Sequence, residues 1–435
     1  GGAISSTTDG SGDAGTVMIT ADNVSLSNVS SINSTSFFGT GDAGVIVIDV
    51  ANTLEVRDRA VILATTIADG NAGSIRINAD RLIMDGGGIR SSTGIGFGTA
   101  GDVEIVARDI ALAGDAEIAS ATDGFGDAGR VSLTADTMSL TDTAFINTAA
   151  FSGSSGNAGS IDIVVTGTLT IDQFARVTAL TSGSGDAGRV SVSAGQLTMS
   201  GGSINSATED SGNAGTVSVS ADEITLSGFA DISSSTSTEG NAGSIDIVVT
   251  GALTIDQFAR VTALTSGSGD AGRVSVSAGQ LTMSGGSINS ATEDSGNAGS
   301  VDISVEELIM AGGSINSVTL GDGTGGTVSI TADTIAMTGG SISSSTGGDG
   351  DAGSVAINTE SIEISNGTIE SSTFASGDGG SVLLNVGELS MSGGAISSTT
   401  DGSGDAGTVM ITADNVSLSN VSSINSTSFF GTGDA

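Results

Sequence analysis

A stretch of about 28 residues repeats from one end of the sequence to the other, and this repetition constrains the fold more than any other feature. Each copy contains the marker G-D-A-G or a variant of it. In some copies N or T replaces D, and in some G replaces A. The last glycine of the marker recurs at Gly15, Gly44, Gly73, Gly101, Gly129, Gly159, Gly188, Gly215, Gly243, Gly272, Gly299, Gly326, Gly353, Gly380 and Gly407. Gly15 and Gly407 are 392 residues and 14 steps apart, so the mean period is 28. A fixed period of this size predicts a solenoid, a propeller or an array.

Apolar residues alternate with polar residues after each marker glycine. In the copy that begins at Gly326, Val328 and Ile330 form one alternating run, Ile335 and Met337 a second, and Ile342 begins a third. Alternation with a period of two indicates strands with one buried face, and no run has the spacing of a helix. The sequence therefore predicts three short strands per repeat, joined by three turns.

The same alternating columns recur in the other repeats, which indicates how the repeats assemble. One strand cannot bury its apolar face alone, but equivalent strands of successive repeats can stack into one continuous core. Stacking like on like predicts an all-β fold, a parallel β-helix solenoid with about 28 residues per turn. The chirality of parallel crossovers favours the right-handed form.

Two positions after the first apolar residue of the third strand, every repeat has a small residue. Examples are Ser34, Ala64, Ser91, Ser120 and Thr148. These hydroxyl groups could be nucleophiles, but the chain has no His and no Lys to activate them. We therefore expect small residues that pack into the core.

The composition limits stability and partners. The chain has no Cys, and therefore no disulfide framework and no thiolate metal site. Its formal net charge is −38, which repels nucleic acid and anionic lipid and attracts divalent cations. No apolar stretch is long enough to span a membrane as a helix. We expect no nucleic-acid partner and no membrane-spanning segment.

Two longer identities suggest that the number of repeats is adjustable. Residues 1–43 and 393–435 are identical, and an 84-residue block that begins at Asn157 recurs from Asn241, nearly unchanged as far as Gly215 and divergent after it. We expect residues 1–435 to form one continuous β-helix of about 15 turns, a part of a longer array with a 392-residue super-repeat. The alternative is one building block of a head-to-tail filament. Duplication by whole turns suits a spacer or fibre better than an enzyme cleft.

The marker turn is the strongest candidate for a binding site, because stacking would align its acidic residues. A calcium ladder is one interpretation, since calcium prefers carboxylate and carbonyl oxygens. Its candidate ligands are Asp13, Asp42, Asp127, Asp186, Asp270, Asp351 and Asp405. The other interpretation is turn chemistry, in which Gly supplies a positive φ and Asp or Asn caps its own backbone. The free exchange of Asp for Asn favours turn chemistry.

No cluster of residues predicts catalysis, and we expect no enzyme. The neighbouring carboxylates Glu209 and Asp210 could imitate a glycosidase pair. They recur as Glu293 and Asp294 in the duplicated block, which indicates turn residues. Among other charged residues, Arg76 and Glu104 are candidates for an ion pair between neighbouring strands.

The repeats resemble those of large filamentous-haemagglutinin-like exoproteins, which cyanobacteria and other bacteria export by two-partner secretion. The resemblance rests on G-N-A-G-S-I-x-I followed by L-x-M-x-G-G-x-I-x-S-x-T, and it covers essentially the whole chain. It implies a right-handed β-helix and a secreted or cell-surface location.

The function that this resemblance implies is the structural rod of an extracellular fibre or adhesin. Its roles would be surface attachment, cell aggregation or the building of a matrix, sheath or biofilm. Its partners would be further copies, joined head to tail or laterally, and surface glycans. The alternatives are a β-helical carbohydrate-active enzyme and a calcium-organised binding module.

Overall fold

The computed structural model describes residues 1–151 and 153–429 and divides the chain into two compact units, Gly1–Ser220 and Ala221–Ala435. Residues 152 and 430–435 of the predicted solenoid lie outside the described residues. The fold is an all-β parallel β-solenoid of about 15 turns. The solenoid predicted from the repeat is thus confirmed.

Most turns contain one long strand of 10 to 12 residues and one strand of six residues. The prediction of three strands per turn is therefore wrong, because the first two predicted strands run together. In the long strand Ile46–Arg57 a register shift between Val50 and Thr53 accommodates the junction, whereas between the long strands Val301–Met310 and Val328–Thr338 the pairing passes the junction without a shift. In both cases the pairing continues on both sides. A bulge of this kind bends a strand without ending its hydrogen-bond ladder.

The first unit contains eight six-residue strands that alternate with the longer ones. Its strands are β1 (Ala3–Thr8), β2 (Val17–Leu26), β3 (Ser31–Ser36), β4 (Ile46–Arg57), β5 (Val61–Thr66), β6 (Ile75–Asp85), β7 (Gly88–Thr93), β8 (Val103–Ala113), β9 (Glu117–Thr122), β10 (Val131–Ala135), β11 (Thr137–Leu140), β12 (Phe145–Ala150), β13 (Ile161–Asp172), β14 (Arg176–Thr181), β15 (Val190–Ser200) and β16 (Ser203–Thr208). In one turn of this unit the long strand is interrupted at the junction of the first two predicted strands, which gives β10 and β11.

The division between the units falls within β17 (Val217–Ser227), and the second unit repeats the same alternation. Its strands are β18 (Asp231–Thr236), β19 (Ile245–Val249), β20 (Ala252–Asp256), β21 (Arg260–Thr265), β22 (Val274–Ser284), β23 (Ser287–Thr292), β24 (Val301–Met310), β25 (Ser314–Thr319), β26 (Val328–Thr338), β27 (Ser341–Thr346), β28 (Val355–Ser365), β29 (Thr368–Thr373), β30 (Val382–Ser392), β31 (Ala395–Thr400), β32 (Val409–Ser419) and β33 (Ser423–Ser428).

Within each unit the strands form two parallel sheets, and equivalent residues of successive turns pair with each other. In the first unit Ile62 pairs with Ile89. In the second unit Ile342 pairs with Ile369. All four side chains are fully buried. Stacking like on like therefore produces the continuous aliphatic core that the alternation predicts.

The marker glycines have a different role from the one expected. None of them has a positive φ, so the interpretation that they supply a left-handed conformation is wrong. They are glycines because the marker turns of successive repeats stack backbone against backbone. A Cβ atom on Gly326 would overlap the carbonyl oxygen of Gly299. Positive φ occurs instead at the turn before the short strand, for example at Gly339 and Gly340.

Candidate functional site

Within each unit, the marker turns stack the predicted ligands, and the Asp or Asn side chain of one turn bonds to the backbone of the next. The Oδ1 atom of Asp13 accepts a hydrogen bond from the backbone N–H of Asp42 at 2.9 Å. The Oδ1 atom of Asp42 accepts one from the N–H of Asn71 at 2.7 Å. The same bond links Asp127 to Asn157, Asn157 to Asp186 and Asp186 to Asn213 in the first unit, and Asn241 to Asp270, Asp270 to Asn297, Asp351 to Asp378 and Asp378 to Asp405 in the second.

This ladder explains why Asp and Asn exchange at the marker. The bond requires only an Oδ1 acceptor, which both side chains have. Asn adds a second bond, because the Nδ2 atom of Asn71 donates to Asp42 at 3.2 Å. Asp378 belongs to the same column but was not predicted, although its place in the marker G-D-G-G was visible in the sequence.

Within each unit the predicted calcium ligands therefore stack along the marker turns and take part in the same ladder of hydrogen bonds. Among the residues that the structure describes, no three or more His, Cys, Asp or Glu side chains group closely enough to hold a metal ion. The arrangement therefore offers a hydrogen-bond ladder between turns, and the calcium ladder stays a prediction.

The small residues of the short strands form a second column, which lies inside the solenoid and joins consecutive marker glycines. The Ser317 hydroxyl donates to the carbonyl oxygen of Gly299 at 2.7 Å and accepts from the N–H of Gly326 at 3.0 Å. Ser91 makes the same two bonds to Gly73 and Gly101, at 2.9 and 2.8 Å. Both serines are fully buried, so neither can act as an exposed nucleophile.

We call this arrangement the serine bridge. It recurs with both bonds at Ser34, Ser120, Ser206, Ser290 and Ser398. The sequence predicted only that these positions pack into the core. The polar bridge could have been anticipated from the preference for Ser over Ala, because a buried hydroxyl needs a partner.

The outward face of the long strands carries ion pairs in the first unit. Arg76 and Glu104 are register partners on β6 and β8, with Nε and Oε2 at 3.4 Å, so the predicted pair is confirmed. Arg108 binds both carboxylate oxygens of Asp80, at 2.8 and 3.1 Å. This hydrogen bonding lowers the pKa of the Asp80 carboxyl below its ordinary value. These groups are exposed, and exposed pairs contribute little to stability.

The carboxylate pairs lie where the sequence predicted turn residues. Glu209 and Asp210 follow β16, and Glu293 and Asp294 follow β23, and all four are exposed. The Glu209 carboxylate accepts a hydrogen bond from the Ser182 hydroxyl of the preceding turn at 2.6 Å. Glu209 thus makes another contact between turns.

Comparisons of the chain with known protein families, curated proteins and solved structures find no match. Within residues 1–151 and 153–429, no helical segment is long and apolar enough to cross a bilayer.

Proposed function

We propose that this chain is a shaft segment of an extracellular bacterial fibre or adhesin of the filamentous-haemagglutinin-like type. It would serve surface attachment, cell aggregation or the building of a matrix or sheath. One observation carries the proposal. Within each unit, consecutive turns are joined by the same internal bonds, the serine bridge and the Asp/Asn ladder. A turn built this way can be duplicated without redesign of its neighbours, which is the property a shaft of variable length requires.

The duplicated block supports this interpretation at the level of single bonds. The bond from Asn157 to Asp186 in the first copy has its equivalent from Asn241 to Asp270 in the second, each at 2.8 Å. The Ser206 bridge likewise recurs at Ser290. Repetition of a whole block therefore preserves its contacts.

Location and partners follow from the same proposal. A shaft of this type is secreted or displayed on the cell surface, and the resemblance favours export by two-partner secretion. A chain without Cys suits such export, because it forms no disulfides during transit. Further copies, joined head to tail or laterally, are the proposed primary partners, and surface glycans are the proposed attachment targets.

Cryo-electron microscopy of the native assembly, with and without a calcium chelator, tests the proposal. We expect continuous fibres with an axial spacing of about 4.8 Å per turn. We expect the spacing not to change with chelator, because hydrogen bonds from backbone N–H groups already join successive marker turns. Short discrete particles would contradict the shaft. Fibres that fray only in chelator would instead support the calcium-organised module.

A further inference from the structure

The first unit exposes large apolar side chains in the loops that follow five consecutive short strands, from β3 to β12. We call this surface the apolar ridge. It consists of Phe38, Ile67, Ile95, Phe97, Phe125 and Phe151. The exposed fraction is 66% for Phe38, 84% for Ile95 and 73% for Phe97. Four of the 12 Phe in the chain lie on this edge, and the ridge side chains occupy loops of consecutive turns, whereas the equivalent exposed side chains of the second unit, Leu320, Phe374 and Phe429, lie in separated turns.

Hydrogen bonds between turns hold the ridge in register. The N–H of Ile67 donates to the carbonyl oxygen of Ser36 at 3.0 Å, and the N–H of Phe125 donates to that of Gly96 at 2.9 Å. The rings of Phe97 and Phe125 stack with centroids 5.0 Å apart. The side chains are therefore presented on a fixed backbone, which lowers the entropy lost when a partner binds.

Solenoid stacking does not require apolar residues at these positions. In the next two turns of the same unit, Ser182 and Glu209 follow the short strands. Their N–H groups make the same bonds, to the carbonyl oxygens of Ala150 and Thr181, both at 2.8 Å. The loop geometry is thus kept with polar residues. An exposed apolar patch that stacking does not need marks an interaction surface.

The charges beside the ridge indicate its partner. The ridge loops contain exposed Asp69, Asp123 and Asp127, and their one basic residue, Arg130 at the end of the loop after β9, is already paired with Asp162. The nearest basic residues, Arg90 and Arg130, form ion pairs with Glu117 and Asp162. A second copy of a chain with net charge −38 would bring like charges together on this surface. A cationic partner would gain from the same charges.

We propose that the apolar ridge binds a cationic amphipathic segment of another protein. Apolar side chains of that segment would cover Phe97 and Phe125, and its Lys or Arg residues would face Asp69 and Asp123. Five stacked turns span roughly 19 Å at about 4.8 Å per turn. That length suits about 13 residues of helix at 1.5 Å per residue.

Binding of two amphipathic peptides to the full chain tests the proposal. One is a helical Lys/Leu peptide of about 18 residues, and the other is its Glu/Leu counterpart with the same apolar pattern. The variant Phe97→Ser/Phe125→Ser removes the stacked rings from an exposed loop. Its matched control is Phe229→Ser/Phe258→Ser, which removes another exposed stacked pair, at 5.4 Å, from a different turn type in the second unit. Fluorescence anisotropy at physiological salt gives the affinities, and circular dichroism checks the fold of each variant.

We expect the Lys/Leu peptide to bind the unchanged chain and the control variant equally, and the Phe97/Phe125 variant at least about tenfold more weakly. Asp69→Asn/Asp123→Asn should weaken binding and reduce its dependence on salt. The Glu/Leu peptide should not bind.

Three results would overturn the proposal. Equal affinity for the unchanged chain and the Phe97/Phe125 variant would mean attraction to net charge alone. Equal binding of both peptides would exclude a cationic partner. Self-association in sedimentation that the Phe97→Ser/Phe125→Ser substitutions abolish would assign the ridge to a second copy. None of these results bears on the shaft itself, since the ridge substitutions leave the serine bridges intact.

Discussion

The two units have nearly the same interior and very different surfaces. The first unit contains nine of the 11 Arg residues, and the sequence after Arg273 contains no basic residue. Ion pairs such as Arg108–Asp80 and Arg130–Asp162 join neighbouring turns in the first unit, and the two Arg residues of the second unit form the pairs Arg260–Asp231 and Arg273–Asp302 near its start. Yet both units alternate long and six-residue strands, and both contain the same serine bridges. The contrast teaches that the buried column and its hydrogen bonds stack the turns, while surface ion pairs are dispensable.

The difference in arginine content between the two units also affects individual residues, as a comparison of Glu117 with Glu370 shows. In the first unit, burial raises the pKa of Glu117, and the charge of Arg90 opposes that shift. In the second unit, burial raises the pKa of Glu370, with no basic group to oppose it. In the part of the chain after Arg273, the poorly solvated carboxylate of Glu370 therefore destabilises the fold, because no positive charge offsets its burial.

The largest expected effect comes from the interior, which both units share. We expect Ser91→Ala and Ser317→Ala each to destabilise their own turn by about 1–3 kcal/mol, because each leaves a glycine N–H and a glycine C=O, both at least partly buried, without the bridge. Hydrogen exchange measured by mass spectrometry should show faster exchange in peptides that contain Gly101 or Gly326. The two variants should respond equally.

Exposed Ser295→Ala serves as the control for these variants and should change nothing. The natural Ala64, Ala179 and Ala263 occupy the same column, so the chain tolerates some missing bridges. A loss confined to the first unit would contradict the view that the interior is equivalent in both.

We expect a smaller effect on the pH dependence of stability, which should differ between the two units. The pKa of Glu370 is higher in the folded chain than the ordinary 4.5, so the folded state binds more protons just above that value. Stability should therefore fall as pH rises from 4.5 through the raised pKa. Glu370→Gln should remove this dependence and slow hydrogen exchange at pH 7. Glu117→Gln should give no such gain, because it leaves Arg90 without its partner. An equal gain from both variants would refute the difference between the units.

The smallest effect is expected from a surface ion pair. Arg108→Gln should raise the pKa of Asp80 toward its ordinary value, because it removes the hydrogen bond that lowers it most, and carboxyl-detected NMR titration would measure the change. A lowered pKa stabilises the folded state above the unfolded value and loses that contribution as pH falls through the folded pKa. The variant and the unchanged chain should therefore converge in strong acid, and thermal stability at neutral pH should barely change. Arg59→Gln, which removes the same charge at another turn, is the control. A large thermal loss from Arg108→Gln alone would show that surface pairs do stack the turns.

Much of the fold could be predicted because the same apolar residues obey two periods. They alternate with polar residues along a strand, and they recur about every 28 residues along the chain. Residues such as Ile330 and Ile342 alternate with polar neighbours, and each has an equivalent one period away, so burial required stacking. The number of strands per turn could not be predicted, because alternation continues on both sides of a bulge and does not show whether the ladder is interrupted. The glycine role was missed because a glycine chosen for close approach and one chosen for positive φ look alike in a sequence.

For the candidate site, too, one part could be predicted from the sequence and another part could not. The sequence identified the column of Asp13, Asp42 and their equivalents, because spacing alone determines which residues stack. It could not assign their bonds, since carboxylate oxygens can face a cation or a neighbouring N–H. Only the tertiary structure decided that Oδ1 faces the next backbone, and that the Ser317 hydroxyl lies between two glycines. The physical reason is that a repeat specifies which residues are neighbours, whereas hydrogen bonding depends on distances and directions that exist only once successive turns are stacked.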